Sequence, residues 1–145
     1  MEGRSVTLQI KSHPKNAALI GLAANAYCSH FFRNEFSEEV ELALVEALNN
    51  VIEHSYKGEW DQLIKVCFEI LETGVVCKIR DYGEQWEWQP SIQSPDMNVP
   101  LEDLPEGGFG LFLVQQTMDK VHLEKCDPGS QLVLEKVSKF KARNL

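Results

Sequence analysis

Three short groups of residues in this chain are able to do chemistry. Glu46-Ala47-Leu48-Asn49-Asn50 sets a carboxylate and an amide four residues apart. Asp81-Tyr82-Gly83 closes an alternating apolar run. Glu106-Gly107-Gly108-Phe109-Gly110 stands directly before Leu111-Phe112-Leu113-Val114. On a helix, residues at i and i+4 share a face. Glu46, Asn50 and His54 therefore form one polar strip, which Lys57 joins if the helix runs that far. Asn50 offers a carbonyl oxygen, the ligand type that a hard cation such as Mg²⁺ takes. Glu46 is able to orient or deprotonate an attacking hydroxyl, and His54 and Lys57 are able to reach phosphate oxygens. An internal salt bridge or a solvated groove accounts for the same strip equally well.

The other two groups fit one ligand. Val75, Cys77, Ile79 and Asp81 alternate onto one strand face, so Asp81 is expected to point inward, where a carboxylate must be hydrogen-bonded. The exocyclic amino group of adenine is a suitable donor, and Gly83 permits a close backbone approach or a positive φ. A strand-end Asp capping a turn is the plainer alternative. The glycines at 107, 108 and 110 are able to turn free amides toward an anion, with the positive end of the following helix behind them. That dipole is worth only ~0.3–1 kcal/mol per charge, so direct amide contacts must hold a phosphate. The spacing is neither a P-loop nor a dinucleotide fingerprint, and an ordinary glycine-rich loop has the same composition.

These residues need elements to hold them. Val6, Leu8 and Ile10 alternate with polar residues between Ser5 and Lys11, a half-buried strand. After Pro14 an Ala/Leu-rich helix is expected over about 16–32. Ser37 is placed to cap a second helix, with Glu38 and Glu39 in its first turn, running to about Tyr56. Its stripe of Val40, Leu44, Ala47 and Val51, with Leu42, Val45 and Ile52 beside it, predicts a largely buried helix. Leu63 to Leu71 and Val75 to Arg80 read as a hairpin turned by Glu72-Thr73-Gly74. No period holds from Tyr82 to Pro105, and so long an irregular stretch is usually functional; a lid over a ligand is expected at about 84–106, with a disordered linker as the alternative. A helix over 110–121 and a strand over 130–137 follow. The order β-α-α-β-β-loop-α-β predicts an α+β fold, a mixed sheet with helices on one face.

Bulk properties limit the function. The chain has 145 residues, which predicts one domain. Its formal net charge is -8, from 14 Lys+Arg against 22 Asp+Glu, which argues against a nucleic-acid surface. No apolar run approaches the ~20 residues of a membrane span, and the first residues lack the apolar stretch of a signal peptide. A cytoplasmic protein with no membrane partner is expected. Cys28, Cys67, Cys77 and Cys126 show no C-x-x-C spacing and are expected to be reduced, structural thiols. His13, His30, His54 and His122 show no metal-ligand pattern.

Taken in order, E-x-x-x-N, D-x-G and G-G-F-G resemble the three nucleotide-binding boxes of the GHKL ATPase superfamily. The runs from Glu46 to Tyr56 and from Glu106 to Val114, followed by Met118-Asp119, are more narrowly similar to the anti-sigma-factor serine/threonine kinases, the bacterial switch-protein kinases. The resemblance covers nearly the whole chain. It implies a histidine-kinase-like (Bergerat) fold, a two-layer α/β sandwich of three helices on a mixed, mainly antiparallel sheet, with the stretch after Gly83 as its ATP lid. It implies ATP and Mg²⁺ as cofactors, with Asn50 as the Mg²⁺ ligand and Glu46 as the catalytic carboxylate. Asp81 would bind the adenine amino group and Gly83 let the base seat. Gly107, Gly108 and Gly110 would wrap the phosphates, with Phe109 in the same turn. Ser130 stands where relatives often carry a Thr that makes a water-linked contact with the base.

Glu106 stands where some relatives carry an Arg that meets the terminal phosphate, so another cation must serve. The resemblance implies a protein kinase acting on a STAS-type anti-anti-sigma protein, which also binds and silences a sigma factor and forms a homodimer. A nucleotide-gated binding module without phosphoryl transfer is the alternative; Glu46, which a pure binder does not need, separates the two. Trp86 and Trp88 either dock a partner or fold back onto the lid or the sheet.

Overall fold

The structure is a computed structural model that describes residues 4–87 and 108–145. In chain order it contains β1 (Arg4–Lys11), α1 (Pro14–Cys28), α2 (Asn34–Tyr56), β2 (Leu63–Leu71), β3 (Gly74–Asp81), α3 (Gly108–Thr117), β4 (Lys120–Lys125) and β5 (Ser130–Val137). The strands form one sheet in the order β1-β2-β3-β5-β4. Every pairing is antiparallel, so the parallel component expected of a mixed sheet is absent among the described residues. Strands β3 and β4, joined through α3, run in the same direction, but β5 lies between them and pairs antiparallel with both.

One face of the sheet is dry. Ile64, Val66, Phe68 and Ile70 of β2 are buried, as are Val75, Cys77 and Ile79 of β3 and Leu132 and Leu134 of β5. Charged residues such as Lys65 alternate onto the other face. The helices cover the dry face with Ala17, Ile20 and Ala24 from α1, Val40, Leu44, Ala47, Leu48 and Val51 from α2, and Val114 from α3. Each fully buried aliphatic side chain contributes about 1.5–3 kcal/mol. This is the two-layer α+β arrangement expected from the sequence.

Several boundaries shift from the sequence reading. Helix α1 begins at Pro14, which suits a first helical position because its missing N–H has no intrahelical partner there. The His13 side chain caps it by accepting from the Lys15 amide at 3.0 Å. The helix stops at Cys28 rather than near 32. Helix α2 begins at Asn34, three residues before Ser37. Ser37 is not a cap: it is buried inside the helix, and its hydroxyl donates to the Arg33 carbonyl at 3.3 Å. Helix α3 ends at Thr117, and Val121 belongs to β4, a strand the sequence reading lacks. The lid expected at about 84–106 lies outside the described residues from position 88 onward. No helix among the described residues is long and apolar enough to cross a membrane.

Candidate nucleotide site

Helix α2 carries the polar strip, and α3 lies over it. Asn50 is 4% exposed. Its Nδ2 donates to the Glu46 backbone carbonyl at 2.8 Å, which orients the amide and leaves Oδ1 for a ligand. Gly110, in the first turn of α3, comes down on this pair. A Cβ at Gly110 would stand 2.6 Å from Glu46 Oε2 and 3.6 Å from Asn50 Nδ2. The absence of a side chain at 110 therefore lets the start of α3 sit against the Glu46 carboxylate. The first amides of a helix have no intrahelical partner, and its N-terminal end is positive. Gly108 and Phe109 are helical rather than part of a preceding turn. Gly107 and Glu106 lie outside the described residues.

The strip ends sooner than Lys57. Helix α2 stops at Tyr56, and Lys57 adopts the left-handed conformation with φ 53°. Its ammonium lies 3.6 Å from the Glu84 carboxylate, with both side chains mostly in solvent. His54 keeps its place on the helix, and its ring stacks on Trp86 with centroids 4.9 Å apart and planes at 19°. Trp86 thus folds back onto α2, rather than onto the lid or the sheet, and packs against the core. Trp88 lies outside the described residues.

The base end of the site is built on β3 and β5. Asp81 is fully buried, as alternation predicts. Its Oδ1 accepts from the Gly83 amide at 3.1 Å, and its Oδ2 has no partner among the described residues. Burial pushes the Asp81 carboxyl above its ordinary range, against the Gly83 amide, the nearby Ser55 hydroxyl, the Arg80 charge and the Ser130 backbone. Ser130 stands opposite Asp81 across the β3–β5 ladder. It is fully buried, and its hydroxyl also lacks a partner.

Gly83 serves close approach rather than a positive φ. A Cβ there would lie 2.3 Å from the Ser55 carbonyl oxygen and 2.7 Å from the Tyr56 ring. This contact brings the end of β3 onto the end of α2, where the Glu84 amide donates to the Ser55 carbonyl at 2.9 Å.

Two residues outside the sequence reading complete this junction. The Tyr56 hydroxyl accepts from the Tyr82 amide at 2.7 Å and donates to the Leu63 carbonyl at 2.5 Å. It ties the Asp81-Tyr82-Gly83 turn to the start of β2. Ser55 is 2% exposed with an unpartnered hydroxyl. Its signal was present in the sequence: it extends the stripe Leu44, Leu48, Val51 by one more turn, a hydroxyl where an apolar residue is expected. Tyr56 gave no such signal, because its partners come from β2 and from the residue after β3.

The structure thus brings Glu46, Asn50 and Gly110 together at one end and Asp81, Gly83 and Ser130 at the other, both against α2. A profile of the histidine kinase-like ATPase domain matches residues 10–136. The chain belongs to the histidine kinase-like ATPase family. The match runs from the end of β1 into β5 and contains every residue of the candidate site. Similar curated proteins are each named Serine-protein kinase RsbW. That of Listeria monocytogenes serovar 1/2a is 31% identical over 135 residues, covering 90% of this chain and 85% of the relative. That of Listeria innocua serovar 6a is 30% identical over the same shares. That of Staphylococcus aureus is 33% identical over 112 residues, covering 74% and 70%.

The donor set fits the nucleotide of this ATPase family. A buried carboxylate oxygen without a partner costs ~1–3 kcal/mol or more, and an exocyclic amino group satisfies it. Asn50 Oδ1 and Glu46 supply oxygen atoms of the type Mg²⁺ takes. Among the described residues no group of three or more His, Cys, Asp or Glu side chains could hold a metal ion.

Proposed function

We propose that this protein is an ATP-dependent serine/threonine protein kinase of the switch type. The observation that carries the reading is the Glu46 carboxylate held beneath the first turn of α3, with the Asn50 amide one turn further along α2. A passive nucleotide holder needs phosphate donors and a base pocket; it has no need of a carboxylate at the phosphate end. The relatives' printed name, serine-protein kinase, supports the same reading.

We place ATP with its adenine edge at Asp81 and Ser130 and its phosphates at the N-terminal end of α3, the role that the resemblance implies for Gly107, Gly108 and Gly110. Asn50 Oδ1 would hold Mg²⁺, which would supply charge neutralisation at the phosphates. Phosphoryl transfer depends mostly on positioning and charge stabilisation. Glu46 orients the attacking serine or threonine hydroxyl and accepts its proton, a contribution of about 10²–10⁴-fold. The protein substrate is a STAS-type anti-anti-sigma protein, and the kinase, a cytoplasmic homodimer, also holds a sigma factor. His54 and Lys57 serve near the phosphates only after leaving Trp86 and Glu84, their present partners.

Incubation with γ-labelled ATP and candidate STAS proteins tests this. Acid-stable label on a serine or threonine, lost in Glu46→Ala, is the expected result. Tight partner binding with no label transfer, unchanged by Glu46→Ala, would instead establish a nucleotide-gated binding module.

A further inference from the structure

Three buried oxygen atoms from three different elements meet at the base end of the site without partners among the described residues: Ser55 Oγ on α2, Asp81 Oδ2 on β3 and Ser130 Oγ on β5. Asp81 and Ser130 face each other in the ladder. The Ser55 hydroxyl acts on the Asp81 carboxyl as a donor that lowers its pKa, without reaching the geometry of a full hydrogen bond. Each residue is at least nine-tenths buried. One orphaned polar atom is an exception in a folded protein, and three converging atoms mark a site for a polar ligand. Two of them, Asp81 and Ser130, already have a place in the nucleotide reading. Ser55 has none.

We infer that Ser55 is a specificity-determining residue for the nucleotide base, supplying the hydrogen-bond donor for ring nitrogen N1 of adenine. The inference rests on the ATP-binding reading above and deepens it. The adenine edge presents a donor, the 6-amino group, beside an acceptor, N1. A carboxylate satisfies the donor but repels the acceptor's lone pair, so Asp81 alone reads half of the edge. The acceptor needs an O–H or N–H. A serine hydroxyl has one proton to give, free to rotate toward it, directly or through one bound water.

Ser55 is placed for this role by its backbone. Its carbonyl accepts the Glu84 amide and lies under Gly83, so the residue is fixed against the turn that carries Asp81. The position also explains a hydroxyl on the apolar stripe of α2, where an alanine would cover the core with no orphaned atom.

Binding of ATP and of 1-deaza-ATP, in which a C–H replaces N1, tests the inference on the full chain. Calorimetry is done with the wild type, Ser55→Ala, Ser55→Cys and Asp81→Asn. Ser55→Ala is expected to weaken ATP about tenfold, the worth of one net hydrogen bond, and to change 1-deaza-ATP less than twofold. Ser55→Cys, a weaker donor, falls between. Ser55→Ala without nucleotide is expected to melt no lower than the wild type, since it removes a buried hydroxyl that makes no full hydrogen bond. Equal loss of ATP and 1-deaza-ATP, or no loss of either, overturns the role of Ser55. If the wild type binds ATP and Asp81→Asn weakens it while Ser55→Ala does not, the ATP site stands and only this inference falls. If the wild type binds no ATP, both fall.

Discussion

The two ends of the site are held by different means. At the base end, Asp81 and Ser130 are fixed by a strand ladder, and Tyr56 bolts the following turn to β2. A Cβ on Gly83 would strike backbone, the Ser55 carbonyl oxygen at 2.3 Å. At the phosphate end, Glu46 and Asn50 share one helix, and α3 touches them through Gly110. A Cβ there would strike the far end of a flexible side chain, Glu46 Oε2 at 2.6 Å. The base end is rigid and its polar atoms are buried; the phosphate end is adjustable and its carboxylate is not fully covered. Recognition of a flat base requires fixed donors and acceptors, whereas transfer of a phosphoryl group requires atoms that shift as charge develops.

Substitutions that act on one end alone break this contrast most severely. Glu46→Gln is expected to cut labelled phosphate transfer to a STAS substrate by about 10²-fold or more, while calorimetric ATP affinity stays within about threefold because the base end is intact. Asp81→Asn is expected to do the converse. It removes a charge-assisted hydrogen bond worth about 1.5–3 kcal/mol, so ATP affinity falls roughly 10–100-fold, with transfer at saturating ATP much less affected.

The two glycines sharpen the comparison. Gly83→Ala sets a methyl group against backbone and is expected to lower stability by about 1–3 kcal/mol, read by denaturant unfolding. Gly110→Ala displaces only the end of a side chain. Its stability is expected to change by less than about 1 kcal/mol, while transfer slows severalfold because Glu46 is moved. Equal unfolding losses for both would show that the ends do not differ in rigidity.

The smallest effect is on pH dependence without nucleotide. Burial raises the Asp81 carboxyl above its ordinary value of 3.8, so the folded state binds this proton more tightly than the unfolded chain does. The resulting stabilisation is complete below 3.8 and is lost as pH rises through the raised folded value. Above that window the ionised, buried carboxylate destabilises the fold. Asp81→Asn is therefore expected to melt higher than the wild type at neutral pH and to lose this part of the pH dependence in a melting series. The substitution that weakens ATP binding would stabilise the empty fold, as is common where a site holds an unsatisfied group.

Much of this was legible in the sequence because local rules agreed. Asp81 points inward because strand alternation puts it on the face of Ile79 and Cys77. Glu46 and Asn50 meet because helical spacing puts them one turn apart. Where tertiary contacts decided, the sequence was silent. Strand β4 carries Lys120, His122, Glu124 and Lys125, an exposed edge whose polarity hides its period. Ser37 resembled a cap because Asn34-Glu35-Phe36 shows no helical stripe by itself; the helix there is drawn onward by Phe36 against Phe32, with ring centroids 4.5 Å apart. Gly83, expected to let the base seat, also lies against the last turn of α2. That contact joins residues far apart in sequence and leaves no local pattern.

The ring stack between His54 and Trp86 has an optical consequence. The indole sits where the chain leaves β3, on the same helix that carries Glu46 and Asn50. Its emission depends on the neighbouring imidazole and on its shielding from water. Three tryptophans are present, and with Trp60 and Trp88 replaced by phenylalanine the remaining signal comes from this one position. The protein then carries its own fluorophore at the mouth of the site, and the seating or release of that segment becomes visible in real time without a dye.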